Sequence, residues 1–236
     1  MLALLLASLA APTVGANPPP VGWTDLSALP GVQIDARYAS PDNLTGAPLP
    51  GYGVPGAWLL DAPAAALGRV AADLAPHGYG LVVFDAYRPH RATEALVAWA
   101  WRSGNGRMVT GGYISPTSYH NRGMAIDLGL VQLADGALPD MGSPWDDLTP
   151  ASHTANATGE VATRRQLLVT TMKRHGWNNY WREWWHFSWP AAGKPAARDV
   201  PYACFEPAEG AWTAPVGWDK PGFVVPDPWA SGPCGP

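Results

Sequence analysis

Two residue types that commonly bind metal ions, a histidine and an aspartate, lie in the segment 118–127. A turn containing Asn121 and Gly123 can connect His120 to a strand that carries Asp127. This would bring an imidazole nitrogen and a carboxylate oxygen to one point. Both are ordinary zinc ligands, and a catalytic zinc site needs three protein ligands and one open position for water. A buried ion pair between the histidine and the aspartate is the alternative that this segment leaves open.

A second carboxylate and histidine stand close together at Glu183 and His186, separated by two tryptophans. A carboxylate three residues before a histidine suits a general base beside a metal ligand. Residues i and i+3 of a regular strand point to opposite faces, so the backbone must bulge or turn between the two if both serve one site. A surface glutamate followed by a core histidine is the competing interpretation.

Arg88 is a third candidate, within the sequence DAYRP at 85–89. It follows an apolar run that reads as a buried strand and precedes a predicted helix, so its side chain can project from a strand end. A guanidinium held there would stabilise the oxyanion that forms when water adds to an amide. A structural salt bridge with Asp85 is the alternative role.

The elements that must position these residues mix helices and strands without strict alternation. The apolar spacing predicts helices over 62–75, 92–102 and 162–175, and strands over 81–84, 124–130 and 181–189. This order favours an α+β fold over a doubly wound parallel sheet.

Composition limits the class of protein. The 236 residues are 47% hydrophobic and 14% charged, which is enough apolar material for a buried core. The net charge is −4 and no long run of lysine or arginine occurs, so nothing indicates a nucleic-acid partner. We see no internal repeat and expect one domain over residues 17–200.

Residues 1–16 carry no charge and end in small residues, which is typical of a signal peptide. We therefore expect a periplasmic or secreted protein, although the leader lacks a basic amino-terminal region. A buried amino-terminal helix is the alternative. The run is too short to span a membrane.

The segment 201–236 contains eight prolines and is predicted to be an irregular tail. Cys204 and Cys234 bracket it. In an oxidising compartment we expect them to form a disulfide, which would stabilise the fold by roughly 3–4 kcal/mol. Two free thiols are the alternative.

Three of these motifs occur together in the order of a known family. The sequences YRP at 87–89, S-x-H-x-x-G-x-A-x-D at 118–127 and EWWH at 183–186 resemble the D-alanyl-D-alanine dipeptidases, zinc peptidases of the vancomycin-resistance type. The resemblance runs from about residue 35 to residue 189. It also includes the sequences DARYA from 35, DNLTG from 42 and DMG from 140. The leader and the tail lie outside it.

The resemblance implies the chemistry of the site. One zinc ion would be bound by His120, Asp127 and His186. Glu183 would act as the catalytic base and acid, and Arg88 would stabilise the transition state.

The resemblance also implies the substrate and the fold. Ser118, Tyr38 and Asp140 match positions in the substrate pocket of the family, and the substrate would be a small D,D-dipeptide. The fold would be a central antiparallel sheet with helices packed against it and the zinc site at the sheet. The oligomeric state is not predicted.

Two other functions remain open at this stage. A zinc D,D-carboxypeptidase or endopeptidase acting on peptidoglycan stem peptides would use the same metal ligands in a more open cleft. A binding module that recognises cell-wall peptides without cleaving them is the non-enzymatic alternative. A module of this kind has no need of a base, so Glu183 favours an enzyme.

Overall fold

The computed structural model describes residues 15–190, 193 and 195–204 of the chain. Nearly all of the predicted signal peptide, most of the proline-rich tail and Cys234 lie outside the described residues, and with them the predicted disulfide. No helix of the described part is long and apolar enough to cross a membrane.

Nine strands and four helices make up the described part. In chain order they are β1 (Gly15–Ala16), β2 (Trp23–Asp25), β3 (Val32–Ile34), β4 (Trp58–Leu60), α1 (Asp61–Leu74), β5 (Tyr79–Asp85), α2 (His90–Arg102), α3 (Arg107–Thr110), β6 (Ala125–Gln132), α4 (Gly159–Arg174), β7 (Asn178–Asn179), β8 (His186–Ser188) and β9 (Ala203–Cys204). The mixture of helix and sheet confirms the predicted α+β class.

A five-stranded sheet in the order β3-β5-β6-β8-β7 forms the centre of the fold. The pairs β5–β6, β6–β8 and β7–β8 are antiparallel, as expected, but β3 pairs with β5 in parallel. The predicted central antiparallel sheet is therefore present, with one parallel strand, β3, at its edge. The connection from β3 to β5 includes α1, and a crossover of that length allows parallel pairing.

Helices α1 and α4 pack against the sheet. In α1 the side chains of Leu67, Val70 and Leu74 are fully buried, at the spacing that places them on one helical face. This helix contacts β5 and α4, and α4 contacts β6. Strands β5 and β6 are buried along nearly their whole length, so the core surrounds the two strands that lead to the predicted site.

The predicted elements agree with the structure except around residue 181. All three predicted helices and the first two predicted strands are present, with ends that differ by a few residues. The strand predicted over 181–189 is shorter, because β8 begins only at His186. Residues 181–185 form turns in which the amide of Glu183 donates to the carbonyl of Tyr180. The aromatic residues of this segment suggest a strand, but Trp184 and Trp185 are buried in a turn.

Gly123 ends the short 3-10 turn His120–Arg122 with a left-handed φ of 63°, and a β-carbon there would lie 2.2 Å from the ring of Trp23. We predict that Gly123→Ala lowers the free energy of unfolding by about 2 kcal/mol or more, from the left-handed backbone and the displaced ring. Urea unfolding measures this change.

Gly136→Ala is the matched control, because Gly136 has φ +74° but open space around it. Gly136→Ala should lower the free energy of unfolding only by the cost of a left-handed backbone at alanine. Equal losses of stability in the two variants would contradict a role for the contact with Trp23.

Candidate active site

Strand register brings the predicted metal ligands together. Asp127 on β6 stands opposite His186, the first residue of β8, and on its other side opposite Asp85, the last residue of β5. The pairing of β5 with β6 shifts register between Val83 and Asp85, as at a β-bulge. Directly opposite residues of neighbouring strands share a face of the sheet, so the three side chains form one row.

His120 reaches this row from the 3-10 turn that precedes β6. Its Nδ1 lies 2.6 Å from the carbonyl oxygen of Ala86 and 3.2 Å from Oδ2 of Asp85. A carbonyl oxygen only accepts, so Nδ1 carries the proton and donates. Nε2 faces Asp127 and His186, and in the neutral ring its lone pair is the one available to a metal ion, an arrangement typical of metal-binding histidines.

The three side chains fit a metal ion by their donor atoms and spacing. Nε2 of His120 is 3.2 Å from Nδ1 of His186 and 3.4 Å from Oδ1 of Asp127, and Nδ1 of His186 is 2.8 Å from the same oxygen. A tetrahedral zinc ion with bonds of 2.0–2.2 Å separates its ligand atoms by about 3.3–3.6 Å. The two separations that involve His120 are close to this range, and the hydrogen-bonded pair of His186 and Asp127 is about 0.5 Å shorter. Two imidazole nitrogens and one carboxylate oxygen can thus surround one ion after a small adjustment of that pair.

The protonation states of Asp127 and His186 suit metal binding. Burial would lower the pKa of His120, but the charges of Asp127 and Asp85 raise it above its ordinary value, so a metal ion has to displace a proton there. Burial alone would raise the pKa of Asp127, but the charge and hydrogen bonds of His120 and His186 lower it below its ordinary value. Burial lowers the pKa of His186 despite its hydrogen bond to Asp127. A deprotonated carboxylate and a neutral imidazole are the forms that coordinate metals.

Glu183 lies beside the donor set because the chain turns between it and His186. The amide of His186 donates to the carbonyl of Glu183, and Oε2 of Glu183 is 4.0 Å from Nδ1 of His186. The side chain is 6% exposed, and its Oε1 has no hydrogen-bond partner among the described residues. Burial, and then the charges of Asp127 and Asp146, raise the pKa of Glu183 well above its ordinary value.

Arg88 both forms the salt bridge that the sequence suggested and faces the site. Its Nε and Nη2 donate to Oδ2 of Asp85 at 2.9 and 2.7 Å, and Nη2 lies 3.9 Å from Oδ2 of Asp127. The guanidinium also stacks over the ring of Tyr38, 5.0 Å from its centre. Asp85 additionally accepts from the buried hydroxyl of Tyr52, so Arg88 is held by a carboxylate that is itself fixed.

A cavity of about 400 Å³ opens over these groups. Its lining includes Arg88, Glu183 and the three candidate metal ligands, together with Tyr38 and Ser118. The hydroxyl of Ser118 accepts from the amide of His120, 3.2 Å away. The structure therefore brings seven of the eight predicted site residues to one cavity.

Asp140 is the predicted residue that the structure places elsewhere. It is exposed, its Oδ1 accepts from the amide of Gly142 at 2.7 Å, and it borders a second cavity near Met141 and Trp184. Asp140 lies close in the chain to a segment that lines the main cavity, but its own side chain stabilises a local turn.

Asp146 is the acidic residue of that loop that lines the main cavity, and the sequence analysis missed it. Its backbone has φ 61°, which is uncommon for a residue other than glycine. Its Oδ2 accepts from the hydroxyl of Tyr38 at 2.7 Å. Burial, followed by the charge of Asp127, raises the pKa of Asp146 to about 8. No sequence signal separates it from its neighbour Asp147.

Comparison with known proteins identifies the family of this chain. A family model described as D-Ala-D-Ala dipeptidase matches residues 22–207. A D-alanyl-D-alanine dipeptidase of Enterococcus faecium is 36% identical over 202 residues, covering 77% of this chain and 94% of the relative.

Relatives with the same name come from other bacteria. One from Enterococcus faecalis is 37% identical over 174 residues, covering 67% of this chain and 86% of the relative. One from Escherichia coli is 32% identical over 185 residues, covering 77% and 91%. The chain therefore belongs to the D-Ala-D-Ala dipeptidase family of peptidases.

Proposed function

We propose that this enzyme hydrolyses the dipeptide D-Ala-D-Ala and depends on one zinc ion bound by His120, Asp127 and His186. The observation that carries the proposal is the single cavity in which these three donors, a buried glutamate and a fixed arginine converge. The names of the relatives support the substrate.

Glu183 lies where it can activate water beside the metal site. A zinc ion held by His120, Asp127 and His186 would supply a water ligand of lowered pKa and would polarise a carbonyl group. Glu183 accepts a proton from the attacking water at its unpartnered Oε1 and later delivers it to the leaving amine. Its raised pKa makes the carboxylate a stronger base.

Arg88 stabilises the negative charge that develops on the peptide oxygen. Its guanidinium is buried, and its two bonds to Asp85 hold it at the cavity wall before substrate arrives. A donor that is already oriented loses little free energy through reorganisation during the reaction.

The amino terminus of the dipeptide binds to Asp146. Three carboxyl groups line the cavity, at Asp127, Glu183 and Asp146. The first is the proposed metal ligand and the second the proposed base, which leaves Asp146 to pair with a substrate ammonium group. The arriving positive charge lowers the raised pKa of Asp146, so the pair forms with the carboxyl group ionised. Tyr38 orients the carboxyl group by its hydrogen bond, and Ser118 lies at the same cavity. Asp140 has no part in this proposal.

We also propose export, from the character of residues 1–16. Cleavage after Ala16 would remove β1, which pairs with β9 through Gly15 and Ala16. The next contacts would remain, because the amide and side chain of Asn17 donate to the carbonyls of Tyr202 and Pro201. An exported enzyme would act on dipeptide released outside the cytoplasm.

The first prediction concerns the metal. We expect the protein purified without chelators to contain about one zinc ion per chain and to lose dipeptidase activity on chelation. Because each ligand supplies one third of the protein donors, His186→Ala should lose most of its zinc. Metal analysis and activity assays measure both, with His77→Ala, at an exposed histidine, as the control. Full activity without any bound metal would refute zinc dependence.

The second prediction separates metal binding from proton transfer. Glu183→Gln should keep its zinc, because Glu183 is not a ligand, while kcat falls by about 10²–10⁴-fold. Zinc titration together with steady-state kinetics on D-Ala-D-Ala measures the two properties. The exposed Glu160→Gln serves as the control. A variant whose main defect is lost zinc would instead make Glu183 a support for His186.

The third prediction concerns the ammonium contact. Asp146→Asn should lower kcat/KM for D-Ala-D-Ala by about 10–100-fold, mainly through KM, because a charged hydrogen bond is lost. N-propionyl-D-alanine has the same length but no ammonium group, so its hydrolysis should change little. Asp147→Asn is the matched control. Equal losses on both substrates would rule out the contact.

A further inference from the structure

Arg165 on α4 is a buried arginine outside the main cavity, with 1% of its surface exposed. Its guanidinium donates three hydrogen bonds, all to backbone carbonyl oxygens. The acceptors are Met141 at 2.7 Å, His153 at 2.8 Å and Ala151 at 3.0 Å. The side chain of Arg165 is therefore hydrogen-bonded to both ends of the segment 141–153.

Further bonds close the base of this segment. The hydroxyls of Ser143 and Ser152 lie 3.0 Å apart, and the indole of Trp184 donates to Ser143 at 3.0 Å. The segment is therefore a loop with its ends together, and within it the described secondary structure is limited to the turn Pro150–Ser152. The conformation of the loop therefore depends on the hydrogen bonds between its two ends.

The middle of the loop carries Trp145 and Asp146, which contact the active site, and Leu148, which also lines the main cavity. Asp146 lines the main cavity with a left-handed backbone, a conformation that persists only where the surroundings enforce it. The indole nitrogen of Trp145 lies 3.4 Å from Oδ2 of Asp127 and its ring packs against Tyr38. A shift at the base of the loop would move both.

Arginine suits this position because of its geometry. Its planar group presents several donors in fixed directions, and here they satisfy three carbonyl oxygens from two separate stretches of chain. A lysine in the same place has one nitrogen and cannot reach all three in the same arrangement. Removing the group takes the side-chain donor from the carbonyl oxygens of Met141 and Ala151, while that of His153 keeps the amide of Asn156. The two ends of the loop are then no longer joined through one side chain, which favours opening of the loop base.

We propose that Arg165 is a positioning residue for substrate recognition: by joining both ends of the loop 141–153, it holds Asp146 where the ammonium group of the dipeptide binds. This inference rests on the proposed function, which assigns the ammonium contact to Asp146. Arg165 touches neither substrate nor metal, so its influence passes through the loop.

The test compares Arg165→Met with wild type on D-Ala-D-Ala and on N-propionyl-D-alanine. We expect kcat/KM for the free dipeptide to fall about tenfold or more, mainly through KM, while hydrolysis of the propionyl compound changes little. Zinc content should remain near one per chain. Arg174→Met, at an exposed arginine of the same helix, is the matched control and should behave like wild type.

Arg165→Lys provides a second variant that keeps the charge. It should show a smaller loss in the same direction, and it decides the question if Arg165→Met does not fold. An equal loss on both substrates would show a general structural role and overturn the inference, as would an unchanged preference for the free amine.

Asp146→Asn, measured in parallel, distinguishes the positioning role of Arg165 from the ammonium contact of Asp146. If the preference for the free amine disappears in Asp146→Asn but persists in both Arg165 variants, only the positioning role fails. If it persists in Asp146→Asn, the ammonium contact of the proposed function fails. Loss of the preference in all three variants supports both.

Discussion

The register of three neighbouring strands places Asp85, Asp127 and His186 in one row across the sheet, and the site is built around that row. A slip of one residue would turn Asp127 to the opposite face and separate it from both neighbours. The irregularity between Val83 and Asp85 belongs to this constraint, because it allows the last residue of β5 to stand opposite Asp127.

Asp85 connects this row to the catalytic groups around it. One of its oxygens accepts two bonds from Arg88 and also lies near Nδ1 of His120, and the other accepts from Tyr52. A single buried carboxylate thereby orients a candidate metal ligand and the proposed oxyanion donor together. A substitution at Asp85 would therefore disturb both His120 and Arg88.

The electrostatics of the cavity follow from how many carboxyl groups converge there. Asp127, Asp146 and Glu183 line the cavity, and Asp85 lies directly behind it. Arg88 balances part of this charge, and the remainder favours a divalent cation and a substrate ammonium group. The same mutual repulsion contributes to the raised pKa values of Asp146 and Glu183, after burial. The proposed cation binding and the proposed recognition of a free amine thus follow from one charge distribution.

The sequence by itself determined the α+β class, the helices and the identity of the candidate metal ligands, because apolar periodicity and short motifs are local properties of the chain. The sequence also predicted that the backbone must turn or bulge between Glu183 and His186, because side chains alternate between the two faces of a regular strand. The tertiary structure decided the parallel edge strand, the turn over 181–185 and the fact that Asp146, not Asp140, lines the main cavity. Each of these depends on contacts between distant segments: the crossover of α1, the burial of Trp184 and the bonds of Arg165 to both ends of one loop. Such contacts leave no periodic or motif signal in a single sequence.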